Sequence, residues 1–151
     1  MSKKEGLYEH KCTYCREWLF RLYTALNLPQ ELQITIITKD TLENSDSFLA
    51  QGGICMLKDD SDYESFFEDT LRAGHYKNDK VSVDLMIKSS PDVIEDLLDF
   101  GVDFQRDENG NLVFTREGAH SDKRILFYQD TTGKEITSRC LLRLKSVQTL
   151  C

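Results

Sequence analysis

The stretch from Arg16 to Thr38 sets the strictest limit on how this chain can fold. Arg16 to Asn27 has helical periodicity, with Trp18, Leu19, Leu22, Tyr23 and Leu26 on one face, and Pro29 follows its end. Gln33-Ile-Thr-Ile-Ile-Thr38 is a β-branched run of strand length, apolar enough for a strand buried in a parallel sheet. Helix, short turn and buried strand make the second half of a βαβ unit. The first strand of that unit belongs just before Arg16, and no strand can be read there.

The remaining pattern continues an α/β unit without repeats, linkers or low-complexity segments. A small-residue cluster, Ala50-Gln-Gly-Gly53, lies between Leu49 and Leu57. A helix is expected from near Asp62, with Phe66, Phe67, Thr70 and Leu71 inward, stopping at Gly74. Another is expected from about Lys80 to Lys88. Ser90-Pro91 then supplies an N-cap and a first-position proline, opening a separate helix from Asp92 to Phe100. Phe104 and Leu112-Val-Phe114 flank the hairpin signal Asn109-Gly110. Thr132-Gly-Lys-Glu135 has the capping-box form and predicts a final helix.

At 151 residues the chain suits one domain with a real core. Its formal net charge of −7 argues against nonspecific nucleic-acid or acidic-membrane binding. No apolar run approaches the roughly 20 residues a membrane helix needs. Lys3 and Lys4 have no apolar stretch behind them, so Met1 to His10 is not a secretory signal, and a cytoplasmic location is expected. The five cysteines, at 12, 15, 55, 140 and 151, do not form a disulfide framework. Cys12 and Cys15 make a C-x-x-C pair without the further ligands of a zinc site. A noncatalytic remnant, or a small metal or redox module built on that pair, stays open as an alternative.

Two segments carry chemistry. Asn44-Ser-Asp-Ser-Phe-Leu-Ala-Gln-Gly-Gly53 reads as a polar, glycine-ended loop after the second βαβ strand. Its backbone can approach a phosphate or flat ring closely, or it can simply turn the chain. Thr115-Arg-Glu-Gly-Ala-His-Ser121, with Lys123 and Arg124 beyond, gathers a carboxylate, an imidazole, hydroxyls and guanidinium groups in one short loop. Such a set can bind a zwitterion, and a solvated charged loop has the same composition. His10 and His75 have no such company and read as surface residues.

Taken in order, several segments resemble the L-aspartate oxidases of the succinate dehydrogenase and fumarate reductase flavoprotein group. They are Leu22-Tyr-Thr-Ala-Leu-Asn-Leu-Pro29, Ile34-Thr-Ile-Ile-Thr-Lys39, Ala50-Gln-Gly-Gly-Ile54, Glu68-Asp-Thr-Leu71, Ala73-Gly74, Thr115 to Ser121, Arg124-Ile-Leu126 and Thr132-Gly-Lys-Glu135. The resemblance runs from about Leu22 to Ser138. It implies an α/β fold, a partial Rossmann-like FAD-binding domain with a parallel sheet of βαβ type, helices and a small hairpin. It also implies oxidation of L-aspartate to iminoaspartate on the quinolinate route to NAD, with oxygen or fumarate as acceptor and possible channelling to a quinolinate synthase. On this reading Lys39, Asp46, Ser47, Phe48, Leu49, Ala50, Gln51, Gly52 and Gly53 wrap the FAD. Asn44 to Phe48 contains no histidine for a covalent flavin link, so the FAD is expected to be noncovalent. Glu117 stands where the oxidases place a carboxylate near the substrate ammonium. His120 is its expected catalytic neighbour, Ser121 a substrate contact, and Arg116 and Arg124 are structural.

The resemblance breaks at both ends. Family members open with a strand and G-x-G-x-x-G, aiming a helix N-terminus at the FAD pyrophosphate. Here Lys11 to Arg21 replaces it. With permitted codons, read one base later, that stretch becomes N-V-L-I-V-G-S-G-C-S-G. The residues from Arg139 to Cys151, shifted by two bases, become V-L-I-E-V-K-K-C-A-N-V-M. Three parts are therefore expected: an out-of-frame segment 1–21, the first part of an FAD-binding domain over 22–138, and an out-of-frame segment 139–151, in a fragment not competent on its own.

Overall fold

In a computed structural model the described residues are 18–147, apart from 30, 33, 35 and 37–40. Most of the strand expected over 33–38, together with Lys39, Cys12 and Cys15, lies outside them. Ile34 and Ile36 are described, and both are half-buried against the main core. The described elements are α1 (Trp18–Leu26), α2 (Asp46–Leu49), β1 (Ile54–Cys55), α3 (Tyr63–Ala73), α4 (Lys80–Asp99), β2 (Ile125–Leu126) and α5 (Thr132–Val147).

The predicted face of α1 is the one that packs. Leu22 and Ala25 are buried, with Leu19, Tyr23 and Leu26 half-buried beside them. Tyr23 Oη donates to Asp96 Oδ2 at 2.5 Å and so ties α1 to α4. Burial, reinforced by that carboxylate, pushes the Tyr23 phenol up to about 12. The same core takes Ile94 and Leu97 from α4, Val102 and Phe104 after it, Leu126 from β2, and Ile136, Cys140 and Leu144 from α5. Residues 139–147, expected to be out of frame, thus continue α5 and contribute two of its buried side chains. Burial pushes the Cys140 thiol up to about 12, so it behaves as a small apolar side chain. A second cluster joins Leu57 to Phe66 and Leu71 of α3 and Val83 and Ile87 of α4.

Three expectations are corrected. The two helices expected on either side of Ser90-Pro91 are one continuous helix, α4. Pro91 has no N–H for the carbonyl of Ile87, the usual reason a proline breaks a helix. Ser90 removes the conflict, because its Oγ donates to Ile87 O at 2.7 Å and accepts from Leu57 N at 2.9 Å. One helix can then span both core clusters. The capping box is absent although its helix forms: Thr132 Oγ1 accepts from Tyr128 N, and Glu135 Oε1 accepts from Asp103 N and Arg139 Nε. Finally, the glycine-ended loop contains a helical turn. Ser45 caps α2 by accepting from Phe48 N at 3.2 Å.

Two further turn signals hold. Gly74 is the C-cap of α3, although the left-handed residues there are His75 and Tyr76. Around Asn109-Gly110 the chain turns back, with Asp107 N donating to Asn111 O at 2.9 Å and Arg106 bridging Leu112.

Ser90→Ala should destabilise the chain by about 1–3 kcal/mol, because it strands the Ile87 carbonyl and the Leu57 amide together. Denaturant unfolding monitored by circular dichroism measures this. A change within error of zero would show that the Ser90 hydroxyl is not what lets the helix pass Pro91.

Candidate functional site

The two chemical segments meet through β2. Ile54 pairs with Leu126 and Cys55 with Ile125, antiparallel, while Thr115 bridges Ile125 from the other side. Thr115 N donates to Ile125 O at 2.9 Å and Ile125 N returns to Thr115 O at 3.1 Å. This ladder brings together residues more than sixty positions apart in the chain. A Cβ added at Gly53 would lie 2.2 Å from both Ile125 Cγ2 and Leu126 O, so only glycine lets the loop cross β2 so closely. The same device recurs at α5: Gly133 N donates to Ala50 O at 2.9 Å, and a Cβ there would stand 2.1 Å from Ser47 O. Among the described residues nothing crowds the backbone at Gly52, where an added Cβ would meet Glu117 Oε2 alone, at 3.9 Å. The glycine pair and the acidic loop therefore face each other.

The loop that carries Glu117 is fastened by a buried ion cluster. Arg124, immediately before β2, is fully buried. Its Nε and Nη2 donate to the two oxygens of Asp62, at 3.0 and 2.6 Å. Nη1 donates to Asp69 Oδ2 at 2.8 Å and to His120 Nδ1 at 3.1 Å, and Nη2 also donates to Ser65 Oγ at 3.0 Å. A guanidinium has five N–H groups, and these five contacts use them all. The cation also lies 4.9 Å from the centre of the Phe66 ring. Burial alone would raise the Asp69 carboxyl. The Ser121 amide and hydroxyl, at 2.6 and 2.7 Å, and the Arg124 guanidinium reverse that and hold it well below the usual carboxylate range. Burial would likewise lower Arg124, yet its bonds to Asp62 and Asp69 raise it. For His120, burial and then the neighbouring guanidinium lower the imidazole.

Each expected site residue can now be placed. Glu117 is exposed, just before Gly118 at φ 59°. His120 is half-buried with its ring edge-on to Phe66. Ser121 spends its amide and hydroxyl protons on Asp69, with Ser65 Oγ 2.9 Å away. Arg124 is structural, as expected, whereas Arg116 is exposed. In the other segment Asp46, Leu49, Ala50, Gln51, Gly52 and Gly53 are exposed, while Ser47 and Phe48 are half-buried. Ser47 Oγ accepts from Leu19 N at 3.4 Å, and Lys134 Nζ lies 5.9 Å from the Phe48 ring. Lys39 is outside the described residues. Among the described residues no cluster of His, Cys, Asp and Glu could hold a metal, and no helix is long and apolar enough to cross a membrane.

Asp62, Ser65 and Asp69 are functional supports that sequence reasoning missed. A signal existed. Positions 62, 65, 66 and 69 share one face of a helix, and Phe66 marks that face as inward. Two carboxylates on an inward stripe require a buried cation, and Arg124 is that cation.

A family described as an FAD binding domain matches residues 22–150. The chain is 43% identical over 124 residues to the L-aspartate oxidase of Clostridium perfringens, covering 82% of this chain and 28% of that protein. It is 43% identical over 115 residues to that of Clostridium acetobutylicum, covering 76% and 26%. Against that of Nostoc sp. the identity is 40% over 133 residues, covering 85% and 23%. Among solved structures, E. coli quinol fumarate reductase FrdA superposes with a TM-score of 0.78 at 23% identity, over 85% of this chain and 22% of that one. The Mycobacterium smegmatis Sdh1 complex in the apo form gives 0.72 at 24%, over 83% and 21%. At such identities the likeness speaks to fold alone, and the fold is shared. The chain spans less than a third of the length of these relatives.

Both perturbed groups make the cluster acid-sensitive. Asp69 has a depressed folded pKa, so its contribution is complete above the unfolded value of about 4 and is lost as pH falls below it. His120 is also depressed, so the unfolded state binds its proton first and stability declines as pH drops below about 6.5. Stability should therefore fall in two stages on acidification. His120→Gln should flatten the stage below about 6.5, and unfolding midpoints measured between pH 8 and 3 test it. An unchanged profile in that variant would remove His120 from the linkage.

Proposed function

The chain belongs to the FAD-binding-domain family, and from that footing we propose that it is the first part of an L-aspartate oxidase, the enzyme that converts L-aspartate to iminoaspartate. One observation carries the reading beyond family membership: the Glu117 carboxylate stands beside the exposed, uncrowded backbone of Gly52. A flat ring needs bare backbone to approach, and a zwitterion needs a counter-charge for its ammonium where water is excluded. The bare backbone and the carboxylate lie a few ångströms apart, both exposed in this chain. Succinate has no ammonium, so a carboxylate in this place favours an amino-dicarboxylate over a plain one.

The residues suit FAD at one end of the ligand. Asp46 to Gly53, with Lys39, would hold the flavin side, since Gln51, Gly52 and Gly53 are exposed and, among the described residues, Glu117 alone stands near Gly52. When bound, FAD supplies the acceptor for the two electrons leaving the substrate Cα. Glu117 orients the substrate by its ammonium, His120 lies beside it, and Ser121 holds the loop through Asp69. At the pyrophosphate end the sequence does not suit the ligand, because Arg16, Trp18 and Arg21 stand where the glycine fingerprint belongs. Segment 1–21 is best explained as a shifted reading of that fingerprint. Oxygen or fumarate as acceptor, a cytoplasmic setting and transfer of product to a quinolinate synthase follow from the same reading.

Two measurements test this. The chain as written should lose FAD on desalting, and replacing Lys11 to Arg21 by N-V-L-I-V-G-S-G-C-S-G should improve retention, read by flavin absorbance. Stoichiometric FAD on the unaltered chain would contradict it, as would codons for Arg16 or Phe20 that break the shifted reading. In a full-length protein carrying the restored segment, Glu117→Gln should reduce aspartate turnover by an order of magnitude or more relative to fumarate reduction, about the effect of one charge-assisted contact. Equal losses on both substrates would show that Glu117 does not read the amino group.

A further inference from the structure

The ion cluster does more than anchor the loop. A guanidinium has no lone pair to offer, so the 3.1 Å contact between Arg124 Nη1 and His120 Nδ1 forms only when Nδ1 is the acceptor. We propose that Arg124 is a positioning residue that fixes His120 as the tautomer protonated on Nε2, so that the ring offers its site a hydrogen-bond donor rather than a base. The inference deepens the aspartate oxidase reading and rests on it only for the identity of the acceptor, a substrate carboxylate. The tautomer itself follows from the cluster.

The geometry leaves His120 little freedom. Phe66 meets the ring edge-on, with centroids 5.4 Å apart, and fixes its plane. Arg124 cannot turn away, because Asp62 holds it through two parallel bonds and Asp69 through a third. The backbone is fixed as well, by His120 N to Glu117 O at 3.4 Å and by Ser121 on Asp69. The charged groups around the ring are Asp62 just before α3, Asp69 within it, and Arg124 four residues on from the ring. The carboxylates favour a cationic ring, but the guanidinium and burial outweigh them. Nε2, which points away from Nδ1, has no protein partner among the described residues. A neutral donor on that side suits an anion, and it leaves proton removal from the substrate to another group.

The test needs neither FAD nor aspartate, so its failure is separable from failure of the aspartate reading. The chain has three histidines, at 10, 75 and 120. With 15N-labelled histidine, the signals lost in His120→Gln assign that ring. The expected result at pH 7.5 is a single form, with the proton on Nε2 and an unprotonated, hydrogen-bonded Nδ1, and a titration midpoint below the ordinary value of about 6.5. In Arg124→Gln, if it folds, both tautomers should appear and the midpoint should rise. A proton on Nδ1 in the unaltered chain, or the mixed population of an unconstrained ring, overturns the proposal whether or not the variant folds.

Discussion

The arrangement of this molecule depends on one buried cation. Arg124 joins α3, the loop from Thr115 to Lys123 and the start of β2, and its five donors are met by two carboxylates, an imidazole and a hydroxyl. A buried charge is tolerated only when its partners are complete, and removing one partner from such a cluster typically costs about 3–5 kcal/mol. Complete pairing also fixes geometry. The guanidinium fork accepts one orientation of Asp62, so α3 sits at one angle to β2. Everything in the exposed loop inherits that angle, Glu117 included.

A second constraint works at the scale of the fold. The described residues form two apolar clusters, and α4 is the element that enters both, with Val83 and Ile87 in one and Ile94 and Leu97 in the other. A break at Pro91 would let the clusters move independently and would loosen β1, which lies between them in sequence. Ser90 prevents this by occupying the carbonyl that proline abandons and, with the same oxygen, receiving the amide of Leu57 just beyond β1. One hydroxyl thus keeps the glycine-ended loop in register with the helix behind it.

Which parts were legible follows from what kind of interaction made them. The inward faces of α1 and α3 and the turn at Gly110 depend on periodicity and local backbone preference, and the residues state them directly. The Ser90-Pro91 boundary was misread because its signal is local and true, while the hydroxyl that overrides it acts through a residue thirty-three positions away. Thr132 and Glu135 failed as a capping box for a related reason: Tyr128 and Asp103 offered both side chains other partners. In the candidate site, Glu117, His120 and the glycine pair stood out by type and spacing. Asp62 and Asp69 did not, since a helix rich in acidic residues looks solvated until an inward face and a distant arginine are considered together.

The cluster also bears on how, under the proposed function, a single carboxylate would serve the site. Asp62 and Asp69 are paired with Arg124, Arg72 adds a second guanidinium at Asp69, and the Ser121 amide and hydroxyl complete that carboxylate. Their negative charge is neutralised within the protein and draws no ligand. Glu117 remains outside the cluster and exposed, beside the likewise exposed Arg116. A carboxylate in that place, beside bare glycine backbone, is what the proposed recognition of an amino group would use. On the proposed reading the buried ions bear on specificity through geometry: they hold the loop that sets Glu117, among the described residues, beside Gly52.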